Sequence, residues 1–215
     1  MKRNGIFITG TDTGVGKTFV ACSLIRVLRD HRADIGVMKP VETGCRKRGR
    51  RLVPGDGVRL ISAAGVLDPE NLVVPYKFRT PLAPYAAAMI ENRRINLSRI
   101  RKSFRCLSKL HEFLVVEGAG GLFVPLTRDY TFLDFIKETK LSVVIVAGNK
   151  LGVLNHIMLT VFCLKKYNIN PELVILNNIE SPGVPAQKTN LKILKRLLPG
   201  IKVLNFPYMG TVYKS

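Results

Sequence analysis

Short, nearly pure apolar runs alternate along this chain with longer stretches in which apolar residues recur every three or four positions. The runs predict strands at Gly5–Thr9, Ile35–Lys39, Phe113–Glu117, Ser142–Ala147, Leu173–Asn177 and Lys202–Phe206. Several are continuous, the pattern of strands covered on both faces of a parallel sheet. The periodic stretches predict helices at Lys17–Asp30, Gly57–Ala64, Leu97–Leu110, Phe132–Thr139, Leu154–Tyr167 and Gln187–Leu198. Strands alternating with helices imply an α/β fold: a mostly parallel sheet, right-handed crossovers and helices on both faces. The sequence shows no internal repeat or low-complexity linker. At 215 residues, 47% of them hydrophobic, one domain over residues 1–215 is expected.

The longest apolar runs, such as Val143–Ala147, are strand-sized and far short of a membrane span. Ile6–Ile8 leads straight into a glycine-rich loop, which reads as a first strand and not a signal peptide. A cytoplasmic protein with no membrane partner is expected. Cys22, Cys45, Cys106 and Cys163 form no CxxC pair, and His31, His111 and His156 share no ligand spacing, so reduced thiols are expected and a Cys/His metal site is not.

Charge adds a complication. Thirty-four Lys and Arg against fifteen Asp and Glu give a formal charge of +19, a balance that favours polyanions. Much of it lies in Arg46–Arg51 and Arg93–Lys109. The second stretch spaces Arg94, Arg101, Arg105 and Lys109 along an expected helix, so a solvated face explains it, and a soluble surface is the reading for both.

In an open parallel sheet, ligands sit beyond the carboxyl ends of the strands. The polar and glycine-rich segments fall there: Gly10–Thr18, Lys39–Gly44, Glu117–Gly121, Asn177–Asn178 and Pro207–Met209 each follow a strand. The strongest signal is GTDTGVGKT, Gly10–Thr18, between a strand and a helix. Glycines let backbone N–H groups approach an anion, the helix N-terminus favours negative charge, Lys17 reaches terminal phosphates and Thr18 can ligate Mg2+. Five residues separate Gly10 from Gly16, one more than the common spacing. A P-loop NTPase-like fold follows.

Glu117 ends an apolar run and precedes Gly118, Gly120 and Gly121, so a carboxylate there can hold Mg2+, a hard ion that takes few protein oxygens. Asp56, between Gly55 and Gly57, stands before the expected Gly57–Ala64 helix. Local rules make it that helix's N-cap. Lys39 ends a strand within MKPVETG, at the same edge as the P-loop. Lys17 and Lys39 together can neutralise a transferring phosphoryl group, chemistry that needs positioning and electrostatics and no covalent nucleophile.

In this order, GTDTGVGKT, MKPVETG, VVEGAGGLFVPL, NKLGVLNH and ILNN resemble dethiobiotin synthetases from Ile6 to about Met209. The resemblance implies a homodimeric ligase of biotin biosynthesis acting on 7,8-diaminopelargonic acid, CO2 and MgATP. It also implies roles by matching position. Lys17, Lys39 and Thr13 contact the carbamate or phosphates; Thr18, Asp56 and Glu117 bind Mg2+; Thr43 touches substrate. Gly14, Val15, Gly16, Lys17, Thr18, Glu117, Gly118, Ala119 and Gly120 surround the nucleotide, Asn177 contacts adenine with Asn178 beside it, and Pro207, Tyr208 and Met209 line the base pocket. Gly152, Val153 and Asn155 receive the substrate carboxylate from the other subunit, with Asn155 also placed near a helix cap.

Three departures from the family pattern are visible. Gly14 stands where some relatives carry glutamate, Thr43 where serine is common, and Ser215 ends the chain where longer relatives continue into a helix. An alternative of another class is a nucleic-acid-associated ATPase of the partition type, which would use the charge directly. Against it, Thr11 occupies the position of that class's early lysine, and no nucleic-acid-binding signature is recognisable. A related amidoligase with another amine or carboxylate is a third reading.

Overall fold

The computed structural model describes residues 4–31, 34–179 and 185–208. In the first half, β1 (Gly5–Gly10) leads through the glycine-rich loop into α1 (Lys17–Arg29) and on to β2 (Ile35–Met38). Short elements follow: β3 (Val41–Glu42), β4 (Arg46–Arg48), β5 (Arg51–Val53), α2 (Gly55–Ala64), α3 (Glu70–Val73), β6 (Tyr76–Lys77), α4 (Pro84–Ile90) and the longer α5 (Leu97–Leu110). The second half holds β7 (Phe113–Glu117), β8 (Pro125–Thr127), β9 (Tyr130–Thr131), α6 (Phe132–Thr139), β10 (Ser142–Gly148), α7 (Val153–Lys166), β11 (Pro171–Asn177), α8 (Pro185–Leu197) and β12 (Lys202–Phe206).

The main sheet has six strands in the order β12-β11-β10-β1-β7-β2, and every pairing is parallel. These are the six strands read from the apolar runs, with ends shifted by two residues at most. The continuous runs split by period two between two cores, as the pleat requires. Phe7, Leu114, Val116, Val143 and Ile145 face α4 to α8, whereas Ile8, Val115, Val144 and Val146 face α1 and α2. Phe7 packs its ring against Phe132 and Phe135 of α6, which fixes β1 at the centre of the sheet. Because β7 returns between β1 and β2 and the chain then crosses to β10 on the other side of β1, the strand order reverses beside β1, the topology that opens a ligand crevice at the strand ends.

Two sequence expectations are corrected. Asp56 is not an N-cap: the helix begins two residues earlier, its cap position is Pro54, and Asp56 lies inside the first turn. Arg94 precedes α5, which opens at Leu97 behind an Asn96 cap whose side chain accepts from Ser98 N at 2.8 Å. Arg101 and Arg105 do lie on α5, where Arg101 forms two hydrogen bonds to Glu138 of α6, 2.8 and 2.7 Å long. Arg46–Arg48 and Arg51–Val53 form an exposed antiparallel hairpin. Among the described residues, no helix is long and apolar enough to cross a membrane.

Candidate active site

The glycine-rich loop is tied to the strands on both sides of β1. Gly10 N donates to the Gly120 carbonyl beyond β7 at 3.1 Å, and Thr11 N to the Val146 carbonyl of β10 at 3.0 Å. A side chain at Gly10 would have nowhere to go: a Cβ there would stand 2.7 Å from the Asp12 carbonyl and 2.8 Å from Lys17 Nζ. The loop ends at Gly16, the cap of α1, and the unpaired N–H groups of that helix end form an anion cradle. Lys17 opens α1 and folds back so that its Nζ donates to the Asp12 carbonyl at 2.9 Å. Burial, reinforced by the neighbouring Lys39 ammonium, pulls the Lys17 pKa down to about 8.

Beside this loop, the ends of β2 and β7 bring three charges together. Lys39 is 4% exposed and Glu117 fully buried. Lys39 Nζ donates to Asp56 Oδ2 at 2.8 Å and to Glu117 Oε1 at 2.5 Å. Glu117 Oε1 also accepts from Thr18 Oγ1 at 2.8 Å, while Glu117 Oε2 is buried without a partner among the described residues. Burial lowers the Lys39 pKa, but the two carboxylates outweigh it and hold the ammonium above its ordinary range. Burial raises the Asp56 carboxyl, and Lys39 outweighs it in turn, leaving Asp56 below the usual carboxylate range. One hydroxyl and two carboxylates form a hard-oxygen donor set of the kind Mg2+ takes. The orphaned Glu117 Oε2 is the atom such an ion would satisfy.

Glu42 was missed in the sequence and organises this cluster. Its Oε1 accepts from Asp56 N at 3.0 Å and its Oε2 from Gly57 N at 2.9 Å. The carboxylate thereby does for α2 what an N-cap side chain does, from fourteen residues upstream, and frees Asp56 to face Lys39. Burial raises the Glu42 pKa, against the opposing pull of the two backbone N–H groups. A local cap rule could not find it; the only available signal was a carboxylate between Lys39 and Thr43 in the same strand-end segment.

A cleft of about 780 Å³ opens over these residues, walled by Thr13, Lys17, Thr18, Lys39, Thr43, Asp56 and Glu117, with Gly14, Gly16, Ala119 and Gly120 beside them. Val15 is buried in the core behind the loop. Gly118 follows Glu117 and donates its N–H to the Ile8 carbonyl at 3.0 Å. Asn177, at the end of β11, reaches the P-loop, donating from Nδ2 to the Val15 carbonyl at 3.0 Å. The Asn178 side chain is engaged elsewhere, accepting from Asn149 Nδ2 at 2.8 Å. Pro207 and Tyr208 follow β12 at its exposed end; Met209 lies outside the described residues.

The remaining predicted substrate residues do not join this cleft. Gly152 is the cap of α7 and Val153 its first residue, with Val153 buried in the core. Asn155 is exposed within the helix and does not cap it. A smaller cavity of about 430 Å³ lies on the other flank of the P-loop, between Gly10–Thr13, Phe123, Leu159 and Thr160.

This fold and this strand-end cluster define a P-loop NTPase-like nucleotide-binding protein. A family model described as an AAA domain matches residues 4–209. Solved structures of similar architecture include a ParA family ATPase from Chlorobium tepidum (TM-score 0.54, 14% identity, 97% of this chain and 85% of that one) and a putative plasmid partition protein from Borrelia burgdorferi (0.55, 14%, 97% and 87%). At that identity the likeness is one of fold alone. Sequence is more specific. Proteins named ATP-dependent dethiobiotin synthetase from Nitrosopumilus maritimus (42% identity, 93% of this chain and 86% of that protein), Thermodesulfovibrio yellowstonii (38%, 98% and 91%) and Aquifex aeolicus (40%, 96% and 90%) are similar over nearly the whole length. The chain belongs to the dethiobiotin synthetase family, ATP-dependent ligases.

Proposed function

We propose that this chain closes the ureido ring of dethiobiotin from 7,8-diaminopelargonic acid, CO2 and ATP, in the cytoplasm and as one domain. One substrate amine takes up CO2 as a carbamate. A carbamate oxygen then attacks the γ-phosphorus, ADP leaves, and the second amine displaces phosphate from the mixed anhydride to close the ring. The observation that carries this reading is the convergence of Lys17 and Lys39 beside Glu117 and Asp56 at the mouth of the P-loop. In the nucleotide-bound enzyme Lys39 offers a cation to the carbamate and the phosphoryl group. Such preorganised charge stabilises the transition state without reorganising water. It does not act as a base.

Lys17, with Thr13 and the P-loop N–H groups, holds the phosphates. Thr18, Asp56 and Glu117 would hold Mg2+, which would supply positive charge to neutralise the phosphates. Thr43, in the cleft wall, would meet the diamine. By their positions in the family pattern, Asn177 would contact the adenine, and Asn178, Pro207, Tyr208 and Met209 would border the base. We also read the chain as a homodimer. Leu159 and Phe162 are 59% and 69% exposed on the α7 face that carries Asn155, and Leu151 and Phe123 are exposed nearby. An apolar surface of this kind marks a contact, and it borders the smaller cavity. Gly152, Val153 and Asn155 would then serve the partner's substrate carboxylate at the N-terminus of α7.

The test is ADP release with MgATP and bicarbonate, with and without diaminopelargonic acid. Diamine-dependent release with dethiobiotin identified by mass is expected. Absence of that product from protein that binds ATP would overturn the substrate assignment.

A further inference from the structure

We propose that Lys39 occupies the metal position while no nucleotide is bound, so that free Mg2+ is kept out until phosphate draws the ammonium away. This rests on the reading of Thr18, Asp56 and Glu117 as the metal ligands. Lys39 Nζ lies 2.8 Å from Asp56 Oδ2 and 2.5 Å from Glu117 Oε1. It therefore sits between the two carboxylates that a metal would have to bridge. Mg2+ binds its oxygens at about 2.0–2.1 Å, so an ion held by both carboxylates, Glu117 Oε2 included, would come too close to the ammonium for both to stay. Two cations cannot share that position, because at such short range their repulsion is strong.

The substitution is also incomplete. Lys39 satisfies Glu117 Oε1, and Thr18 Oγ1 donates to the same oxygen, yet Glu117 Oε2 remains buried and unpartnered. A monovalent donor thus fills the place without meeting all its demand, which makes it displaceable by a better-suited ion once it has somewhere to go. In the nucleotide-free protein, moving into the cleft takes the ammonium toward Lys17, a second buried cation on the same wall. With a triphosphate on the P-loop, the same movement gains an anion. Metal entry and nucleotide binding are coupled through one side chain, and the metal enters with the nucleotide or after it. The transfer that delivers Mg2+ also delivers Lys39 to the phosphoryl group it is to stabilise.

The experiment measures Mn2+ binding, by electron paramagnetic resonance or calorimetry, to nucleotide-free wild type and to Lys39→Met, Lys39→Gln and Lys39→Arg. Lys39→Met and Lys39→Gln are expected to bind Mn2+ at least about tenfold tighter than wild type, because two carboxylates lose their resident cation. Lys39→Arg stays as weak as wild type. ADP narrows the gap by raising the affinity of the wild type. Thermal melting gives an independent readout: Mn2+ alone raises the melting temperature of Lys39→Gln and not of wild type. Equal nucleotide-free affinity in wild type and both neutral variants would overturn the proposal, as would an equal gain in Lys39→Arg. Neither assay contains the diamine or any turnover, so failure of the dethiobiotin reading leaves the result intact. Adding Glu117→Gln to Lys39→Gln tests the ligand assignment separately: Mn2+ affinity must fall again, and an unchanged value would refute that assignment.

Discussion

The same two paired strands, β2 and β7, carry a basic side chain between two carboxylates at each end, and the two clusters behave oppositely. At the carboxyl ends Lys39 lies between Asp56 and Glu117. At the amino ends His111 lies between Asp34 and Asp68, with Nδ1 2.5 Å from Asp34 Oδ1 and Nε2 2.9 Å from Asp68 Oδ2. The second Asp34 oxygen accepts from Glu112 N at 3.1 Å. The histidine cluster is closed: both ring nitrogens face a carboxylate, and no volume opens over it among the described cavities. The lysine cluster is open: one buried oxygen lacks a partner and a cleft stands above it. Charge alone does not separate a staple from a site; unspent bonding capacity beside accessible volume does.

The contrast breaks most sharply at Lys39. Lys39→Ala should lower turnover by roughly two to three orders of magnitude while nucleotide binding stays within a few-fold, by the scale seen when a preorganised transition-state donor is removed. Steady-state kinetics and calorimetry together check this, and unchanged turnover would remove Lys39 from the chemistry. Glu117→Gln comes next. It should move the half-saturating Mg2+ concentration upward by about tenfold or more, and an identical metal titration would take Glu117 out of the metal site. Lys17 gives a smaller, pH-dependent effect. With its pKa near 8 in the nucleotide-free protein, it loses charge as pH rises from 7 to 9. Nucleotide affinity should fall over that window, and Lys17→Arg, which stays charged, should flatten the profile.

The closed cluster answers to stability instead. His111→Ala removes two charge-assisted hydrogen bonds and should cost about 2 kcal/mol, visible in urea unfolding, with turnover within about twofold of wild type. Burial lowers the His111 pKa, but its two aspartate partners outweigh it, so the folded-state value lies above the ordinary one. The sign follows from linkage. The stabilisation is fully present below the unfolded histidine pKa, about 6.5, and is lost as pH rises through the higher folded value. The stability gap between wild type and His111→Ala should therefore shrink with rising pH. A gap that widens would mean that the neutral ring makes the contacts.

Sequence patterning served the two ends of these strands unequally. Apolar runs located all six strands of the main sheet, because most such residues are buried on one face or the other, β12 being the exposed exception, and the signal is local. It failed for β3 to β6, β8, β9, α3 and α4, elements of two to seven residues too short to carry a period. The P-loop, Lys39 and Glu117 were legible because each follows a strand directly. Glu42 was not, since its partners lie fourteen and fifteen residues on. The histidine staple was equally invisible: Asp34, Asp68 and His111 are scattered, and Gly36 carries its one trace. A Cβ there would meet the His111 ring at 2.3 Å, so a glycine within the strand makes room for the ring, a constraint with no local signature.

The reach of Glu42 to the start of α2 has a consequence for how this chain can vary. The two hydrogen bonds close a loop around Arg46–Val53, whose base is pinned again where Cys45 N donates to the Phe78 carbonyl at 2.9 Å. Asp56 is positioned by those anchors and not by the hairpin between them. The hairpin can lengthen, shed its arginines or accept a grafted sequence while the carboxylate below keeps its position. Surface charge on that hairpin is thus free to drift under pressures unrelated to catalysis, and the segment is a natural insertion point for a label that must not disturb the site.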